Sequence, residues 1–378
     1  MYDTFYLKSK VYAGKGSIEQ LRTLSGSAAC VITDSIMDEL GYLGKTIDLL
    51  REAGMETAVF QDVRPDPDTS VVAAGVEVFQ ASGADVLVAL GGGSVIDAAK
   101  AVLYTAWKMD GAAFRKPQFI AIPSTSGTGS EVTDFSVITV DGNKIVIVDE
   151  LISPDIAILD SICLQHVPNK VVADTGIDVL VHALEAYVSN KTTDFTDALA
   201  EKAVQLIFAH LPTLYRDPTD AYARDRVQNA SCIAGMAFTN AFLGINHSLA
   251  HAFGGRFHIA HGRSNAMMML PVMDYNAWLS GGSGGERERR RYAHLAQLLG
   301  LPCRTAREGT VSLMDAVREL KWTLEIPSSI LELGVERDAF TAVLSDMADA
   351  ALQDRCTPSA PRQPSKDELI AIYEEAYG

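Results

Sequence analysis

The chain has 378 residues and a formal net charge of −16, with 48% hydrophobic and 21% charged residues. This is the balance of an ordinary globular protein, and the length is enough for two domains. The acidic charge argues against nucleic acid and anionic membranes as partners, because both require a basic face. No apolar run approaches the length of a transmembrane helix.

The cysteines and the first residues of the chain both predict a cytoplasmic protein. The five cysteines are scattered and form no CxxC pair, which is typical of a reduced interior. The opening segment, MYDTFYLKSK, lacks the apolar core of a signal peptide.

The first part of the chain, residues 1–167, predicts an α/β dinucleotide-binding domain. The predicted strands are 28–33, 57–61, 86–90, 119–123 and 156–159, and the helices between them include 37–53 and 70–81. Apolar strands separated by helices are typical of a parallel sheet that is covered on both faces. Residues 132–140 and 144–148, with a turn at 141–143, predict a β-hairpin instead.

Two loops in this domain favour a nucleotide site. The strand 86–90 leads into Gly91-Gly92-Gly93-Ser94 and a helix, whose free N–H groups suit a phosphate. The strand 119–123 leads into the polar loop 124–131, at the end of a strand where open α/β sheets bind ligands. The first loop is not GxGxxG, and a tight turn explains it about equally well. A polar loop with a helix cap is the alternative for the second.

Asp34 follows the strand 28–33 and bears on the choice of nucleotide. A carboxylate at this position accepts hydrogen bonds from a ribose hydroxyl and repels a 2′-phosphate, which favours NAD over NADP. A turn-forming aspartate before Ser35 is the structural alternative.

The second part of the chain, residues 168–378, predicts an all-helical domain. The predicted helices are 174–189, 197–215, 221–253, 286–300 and a last one opened by the capping box at 365–368. The glycine- and serine-rich segment 279–287 predicts a loop.

Four of the eight histidines lie within fifteen residues of this domain: His247, His251, His258 and His261. Neutral imidazole is a common ligand of zinc, copper and iron, so the segment indicates a metal site. A helix over 246–253, ended by the glycine pair 254–255, places the first two on one face.

Asp178 and His182 lie four residues apart on another predicted helix. A carboxylate with three imidazoles suits Fe(II), Zn(II), Co(II) or Ni(II), and suits Mg²⁺ or Ca²⁺ poorly. The alternatives are a hydrogen-bonded core histidine at 182, a dipole-stabilised aspartate at 178 and a simple loop residue at 258. Spacing alone leaves open which histidines are ligands.

The motifs GGGSVIDAAK (91–100), PSTSGTGSEVT (123–133), DTGIDVLVHALEAY (174–187) and NHSLAHAFGGRFHIAHG (246–262) occur in this order. Together they resemble the iron-containing (group III) alcohol dehydrogenase family over nearly the whole chain. The segments DFTDALAEKA (194–203) and NASCIAGMAF (229–238) are most similar to the 1-propanol dehydrogenases of bacterial microcompartments. The resemblance implies the dehydroquinate synthase-like fold, an α/β nucleotide-binding domain followed by an all-α metal-binding domain.

The resemblance also implies roles for individual residues. The metal ligands would be Asp178, His182, His247 and His261. His251 would lie by the substrate and relay protons, and His258 would not take part. The nucleotide would be held by Gly92, Gly93, Ser94, Thr125, Thr128 and Asp34. Phe135 and Phe238 would face the substrate pocket, with core packing as the alternative.

The implied activity is hydride transfer between a short-chain primary alcohol, such as 1-propanol or ethanol, and its aldehyde. The implied cofactors are NAD(H) and Fe(II), with Zn(II) accepted by the same ligands. The alternatives are a polyol or lactaldehyde-type dehydrogenase of the same fold, and a metal-dependent lyase or hydrolase that uses no nicotinamide. The resemblance further leads us to expect a cytoplasmic homodimer, with enclosure in a microcompartment and contacts to its shell or enzymes as an extension.

Overall fold

A computed structural model describes residues 4–140, 143–278 and 284–378. These residues form two compact units that meet in the chain between Val167 and Pro168. The first unit begins at Tyr6, and Phe5 groups with the second unit, where its ring stacks on Phe195 with centroids 5.5 Å apart. The predicted hairpin turn at 141–142 and residues 279–283 of the predicted loop lie outside the described residues.

The first unit contains a parallel sheet and a separate hairpin. Its strands are β1 (Lys10–Ala13), β2 (Ala28–Thr33), β3 (Glu56–Phe60), β4 (Val86–Gly91), β5 (Gln118–Pro123), β6 (Phe135–Val140), β7 (Asn143–Val148) and β8 (Ile156–Leu159). The parallel sheet has the order β1-β8-β5-β4-β2-β3, and β6 pairs antiparallel with β7. The predicted parallel sheet and the separate hairpin of the first domain are therefore confirmed.

Two details of the strand prediction were wrong. The sequence analysis missed β1, a short edge strand whose four residues are all at least partly exposed, so they form no apolar run. The hairpin strand begins at Phe135 rather than at residue 132, because Ser130–Val132 form a turn of 3-10 helix.

Both faces of the parallel sheet are covered, as its apolar strands predict. The helices of this unit are α1 (Ser35–Glu39), α2 (Tyr42–Glu52), α3 (Thr69–Ser82) and α4 (Gly93–Asp110). All six residues of β4 are buried, and alternate residues of the strand join opposite core clusters. The single helix predicted over 37–53 is in fact two, because Gly41 adopts a left-handed conformation with φ 77° between them.

The second unit is helical throughout its described residues, as predicted. Its helices are α5 (Asn169–Val188), α6 (Asp194–Arg216), α7 (Ala221–Ala241), α8 (Ile245–Phe257), α9 (His261–Ala277), α10 (Glu286–Leu298), α11 (Ala306–Thr323), α12 (Arg337–Gln353) and α13 (Lys366–Tyr377). Among the described helices, none is both long and apolar enough to cross a lipid bilayer.

The helix predicted over 221–253 is broken, and the glycine pair at 254–255 does not end a helix. The break follows from Phe242, whose φ of 60° and ψ of −176° cannot continue α7. The next helix, α8, then runs through both glycines and ends at Phe257, with His258 in a left-handed conformation after it. The chain restarts as a helix at His261.

Candidate metal centre and nucleotide site

Three helices of the second unit bring four predicted ligands together. Asp178 and His182 lie one turn apart on α5, His247 lies near the start of α8, and His261 is the first residue of α9. One donor atom from each of the four lies within 4.8 Å of the others. Asp178, His182 and His247 are buried, and His261 is partly exposed.

Gly262 explains how α9 reaches α5 so closely. A Cβ atom at this position would lie 2.1 Å from the backbone oxygen of Asp174, so only glycine fits. The close approach places Nε2 of His261 3.6 Å from Oδ1 of Asp178. The Nε2 atom of His247 lies 3.9 Å from the same oxygen.

Asn265 lies against these donor atoms. Its Nδ2 donates to Oδ1 of Asp178 at 2.6 Å and lies 3.1 Å and 3.2 Å from the Nε2 atoms of His247 and His261. Asn246 donates to the amide oxygen of Asn265 at 2.9 Å, which fixes the orientation of the amide. Three possible ligand atoms therefore lie around one polar side-chain group, close enough together for a single cation to contact all three.

Glu185 supports His247 from behind. Its carboxyl group lies on α5 and contacts Nδ1 of His247 at 2.5 Å, and it also accepts the backbone N–H of Asn246 at 2.7 Å. A ligating histidine is usually held in this way by a carboxylate on its other ring nitrogen. Burial raises the pKa of Glu185 to about 8; in its ionised form the carboxylate takes the proton of Nδ1 and leaves the Nε2 lone pair facing Asp178.

The ionisation of the cluster fits a divalent ion. Burial, with the neighbouring imidazoles, lowers the pKa of His247 well below its ordinary value, so the ring is neutral and able to bind a metal. Burial also raises the pKa of Asp178, because a carboxylate is costly to bury in its charged form. One carboxylate with three neutral imidazoles is a donor set for Fe(II) or Zn(II).

His251 lies beside the four donors without being one of them. Its ring stacks on that of His261 with centroids 5.3 Å apart, and its Nδ1 contacts Oδ2 of Asp354 at 2.8 Å. Although burial opposes it, the hydrogen bond and charge of His251 lower the pKa of Asp354 to about 2. His258 is exposed at the end of α8 and lies outside the cluster.

Sequence reasoning missed Glu185, Asn265 and Asp354. Glu185 follows His182 by three residues and Asn265 follows His261 by four, so helical spacing could have found both. Asp354 lies 103 residues after its partner His251, and no local pattern connects the two.

In the first unit, the two predicted nucleotide loops and Asp34 follow three neighbouring strands. The strands β2, β4 and β5 are adjacent and parallel, and the chain order reverses between β2 and β4. Open α/β sheets bind ligands at such a switch point, outside the carboxyl ends of the strands. Asp34 follows β2, the glycine turn follows β4, and the loop 124–129 follows β5.

The glycine turn and the polar loop are in contact. Gly92, Gly93 and Ser94 form the partly exposed start of α4, an 18-residue helix. A Cβ atom on Gly93 would lie 2.5 Å from Cγ2 of Thr128, and one on Gly92 would lie 3.4 Å from Thr125. Only glycine at 93 lets the two loops approach this closely. Free helix N–H groups and hydroxyls thus share one surface.

The remaining predicted residues have structural roles beside their predicted ones. Asp34 caps α1 by accepting the backbone N–H of Met37 at 3.1 Å. Phe238 lies on α7 and packs against the ring of His182 with centroids 4.6 Å apart. Phe135 begins β6, and its backbone oxygen accepts a hydrogen bond from Lys100.

Comparison with known protein families gives two matches that together cover most of the chain. Residues 8–161 match the family described as iron-containing alcohol dehydrogenase. Residues 172–377 match the family described as Fe-containing alcohol dehydrogenase family, C-terminal.

Individual relatives agree with the family matches. The chain is 39% identical over 403 residues to an aldehyde-alcohol dehydrogenase of Streptococcus pneumoniae, a match that covers 98% of this chain and 45% of that protein. The chain thus spans about half the length of this relative. It is 39% identical to the NADPH-dependent butanol dehydrogenase of Clostridium saccharobutylicum, with 99% of this chain and 97% of that protein covered.

A third relative and a solved structure match over full length. The 1-propanol dehydrogenase PduQ of Salmonella typhimurium is 37% identical, with 99% of both chains covered. The structure of an iron-containing alcohol dehydrogenase from Thermococcus thioreducens has a TM-score of 0.90 at 33% identity, again with 99% of both chains covered.

Proposed function

The chain belongs to the iron-containing alcohol dehydrogenase family, and we propose that it interconverts a short-chain primary alcohol and its aldehyde by hydride transfer with NAD(H). The observation that carries this proposal is the cluster of Asp178, His182, His247 and His261, whose donor atoms lie within 4.8 Å of one another. These four residues would hold Fe(II), and the same donors accept Zn(II).

A divalent ion held there supplies Lewis acidity, which lowers the pKa of an alcohol. The protein tunes that effect through its ligands. One carboxylate and three neutral imidazoles offset only half of a divalent charge, so the site keeps a net positive charge that favours loss of the hydroxyl proton.

His251 is the group proposed to exchange that proton. Its Nδ1 is held by Asp354 at 2.8 Å, which leaves Nε2 as the atom that accepts a proton in alcohol oxidation and donates it in aldehyde reduction. The ionised carboxylate of Asp354 stabilises the imidazolium that forms. A neutral residue at 354 would not provide this.

NAD(H) supplies the hydride acceptor and donor. Gly92, Gly93 and Ser94 are proposed to bind the pyrophosphate through their helix N–H groups, with Thr125 and Thr128 beside them. Asp34 is proposed to meet the adenosine ribose. Its carboxylate would repel the 2′-phosphate of NADP, which favours NAD even though one relative is NADPH-dependent.

Phe135 and Phe238 are proposed to face the substrate. Aromatic walls suit propanal or ethanal better than a polyol, in line with the relative that is a 1-propanol dehydrogenase. Two wider proposals rest on the sequence resemblance rather than on the geometry. We extend the function to a cytoplasmic homodimer, and to enclosure in a bacterial microcompartment in contact with its shell or enzymes.

The test is to purify the protein without oxygen, measure its metals by elemental analysis, and reconstitute it with Fe(II) or Zn(II). Reduction of propanal, ethanal, lactaldehyde and dihydroxyacetone is then measured with NADH and with NADPH, and oxidation of glycerol with NAD. We expect turnover only after metal loading, with the short apolar aldehydes and NADH preferred. A preference for glycerol would contradict the proposed short-chain alcohol substrate. Unchanged NADH fluorescence on mixing with the protein would contradict the proposed use of NAD(H).

A further inference from the structure

Lys100 is a wholly buried lysine on α4, two turns after the glycine turn. Its Nζ donates to Oγ of Ser130 at 2.9 Å, to Oγ1 of Thr133 at 3.0 Å and to the backbone oxygen of Phe135 at 2.7 Å. An ammonium group has three N–H donors, so these three acceptors use all of them. One lysine side chain therefore fixes three points between Ser130 and Phe135, at the end of the polar loop and in the residues that follow it.

Asp97 completes this buried network. It lies one turn before Lys100 on α4, and its carboxylate accepts from Oγ of Ser130 at 2.7 Å and from the backbone N–H of Val137 at 3.1 Å. The hydroxyl of Ser130 thus accepts from Lys100 and donates to Asp97. Such a buried network stabilises one arrangement only while every member has a partner.

The charges around Lys100 oppose the cost of its burial. Burial lowers the pKa of Lys100 to about 8, while the carboxylates of Asp97, Asp134 and Glu131 oppose that shift. A buried ammonium is costly unless it is paired and fully hydrogen-bonded. Core stability alone would be met more simply by an apolar side chain, so the lysine indicates a need to hold the loop in one place.

The network leads directly to the predicted nucleotide loops. The backbone N–H of Ser130 donates to Oγ1 of Thr128 at 3.2 Å, and the methyl group of Thr128 lies against Gly93. A short chain of contacts therefore runs from Lys100 through Ser130 and Thr128 to the start of α4. Movement of Ser130 would displace Thr128 from the glycine turn.

We infer that Lys100 is a positioning residue for the nucleotide, which holds the polar loop 124–131 against the glycine turn through Ser130 and Thr128. This inference rests on the proposed function, because it assigns the nucleotide to these two loops. Lys100 itself is buried and does not touch the nucleotide. Its loss should weaken nucleotide binding and leave the chemistry at the metal intact.

The experiment compares Lys100→Met with Lys321→Met in metal-loaded protein. Lys321 is another buried lysine, on α11 of the helical unit, and donates to the backbone oxygen of Ala266 at 2.8 Å. We measure NADH affinity by fluorescence, kcat at saturating NADH, metal content, and amide hydrogen exchange of residues 124–133 without nucleotide. Thr133→Val removes one of the three acceptors of Lys100, so its effect should lie between those of the wild type and Lys100→Met.

Lys100→Met should raise the Kd of NADH by about 10-fold or more, the loss expected for a charge-assisted hydrogen bond, and should speed exchange in the loop. Its metal content and kcat should stay near the wild-type values. Thr133→Val should show a smaller effect in the same direction. Lys321→Met should leave both NADH affinity and loop exchange unchanged.

Two results would overturn the inference, and they differ from a failure of the proposed function. If Lys100→Met speeds amide exchange in the loop but binds NADH with wild-type affinity, holding the loop does not serve nucleotide binding. If amide exchange in the loop is unchanged in Lys100→Met, Lys100 does not hold the loop. If Lys100→Met does not fold, Thr133→Val and Ser130→Ala decide by the same readouts. A wild-type protein that binds no NADH would overturn the proposed function, and with it the role of Lys100 in nucleotide binding. Amide exchange in the loop would still show whether Lys100 holds the loop in place.

Discussion

The Nδ1 atom of His247 lies 2.5 Å from Oε2 of Glu185, and the two residues sit on different helices. The other oxygen of this carboxyl accepts the backbone N–H of Asn246 at 2.7 Å. One buried carboxyl therefore orients both the ring of His247 and the start of its helix. Partners of this kind are typically worth 10- to 100-fold in metal affinity.

Glu185→Gln should therefore lower metal affinity by roughly 10- to 100-fold, without a large change in fold. The two contacts use different oxygens of Glu185, and a glutamine has an NH2 group in place of one of them, so one of the two contacts is lost. Competition with a metal chelator measures the affinity. Glu201→Gln, which alters a carboxylate on α6 that accepts from Tyr187, is the matched control and should keep the wild-type affinity. Equal affinities in both variants would contradict the role of Glu185.

Alanine at His261 and at His251 should separate a ligand from its neighbour. His261→Ala removes one of the four donors, so it should lose most bound metal and nearly all turnover. His251→Ala removes a group outside the donor set, so it should keep the metal and lower the rate. Elemental analysis and steady-state kinetics on the same preparations give both values. Equal loss of metal in the two variants would show that the ligands are assigned wrongly.

Asp354→Asn should resemble His251→Ala. The amide cannot stabilise a protonated His251, so the rate should fall by roughly 10²-fold or more while metal content stays constant. Because the two residues act as one unit, the double variant should be little slower than the slower single variant. A purely structural role for Asp354 would instead give additive rate losses, or a loss of metal.

The sequence predicted most of the fold because its main elements have strong local patterns. The strands β2 and β8 were predicted with their observed bounds, since each is an apolar run bounded by polar or turn residues. The prediction failed where one backbone conformation decides the structure, as at Gly41 and Phe242. Propensity and periodicity do not reveal a single residue with positive φ.

Contacts within one helix of the site could be predicted from the sequence, whereas contacts between distant segments could not. Asp178 with His182, and His247 with His251, are pairs at helical spacing and can be found by eye. The link between the two pairs depends on how α5, α8 and α9 pack, and the dyad of His251 with Asp354 depends on a segment near the chain end. Only the resemblance to a known family predicted which of the histidines are metal ligands. The roles that it implied did not extend to Glu185 or Lys100.

Asp85 provides a test of stability against pH in the nucleotide unit. Its carboxylate accepts the backbone N–H groups of Ser27 and Ala28 and the hydroxyl of Ser27. The N–H of Ser27 contributes most to lowering the pKa of this exposed carboxyl group, and slight desolvation opposes it. A lowered folded-state pKa contributes stability that is present above the unfolded value of about 3.9 and is lost as pH falls through the folded value.

Asp85→Asn should therefore lower the melting temperature by a constant amount between about pH 7 and pH 5, and the difference from wild type should narrow below about pH 4. Thermal melts across this range measure it. Asp48→Asn, at an exposed carboxylate on α2, is the control and should change little at any pH. A difference that grows on acidification would contradict the sign argued for Asp85.

Phe242 sits between α7 and α8 in a conformation that normally belongs to glycine. Its φ of 60° and ψ of −176° cost a phenylalanine roughly 1–3 kcal/mol of strain. The ring is half-buried, with Nζ of Lys191 3.9 Å from its centroid, so its burial contributes about 1 kcal/mol. Phe242→Gly should thus leave the melting temperature unchanged or raise it.

Phe257→Gly is the control, at a half-buried phenylalanine that ends α8. This position has no such strain to release, so the substitution should lower the melting temperature by several degrees. Equal losses in the two variants would show that the strain at Phe242 is absent in solution, and that the break before the helix of His247 has another cause.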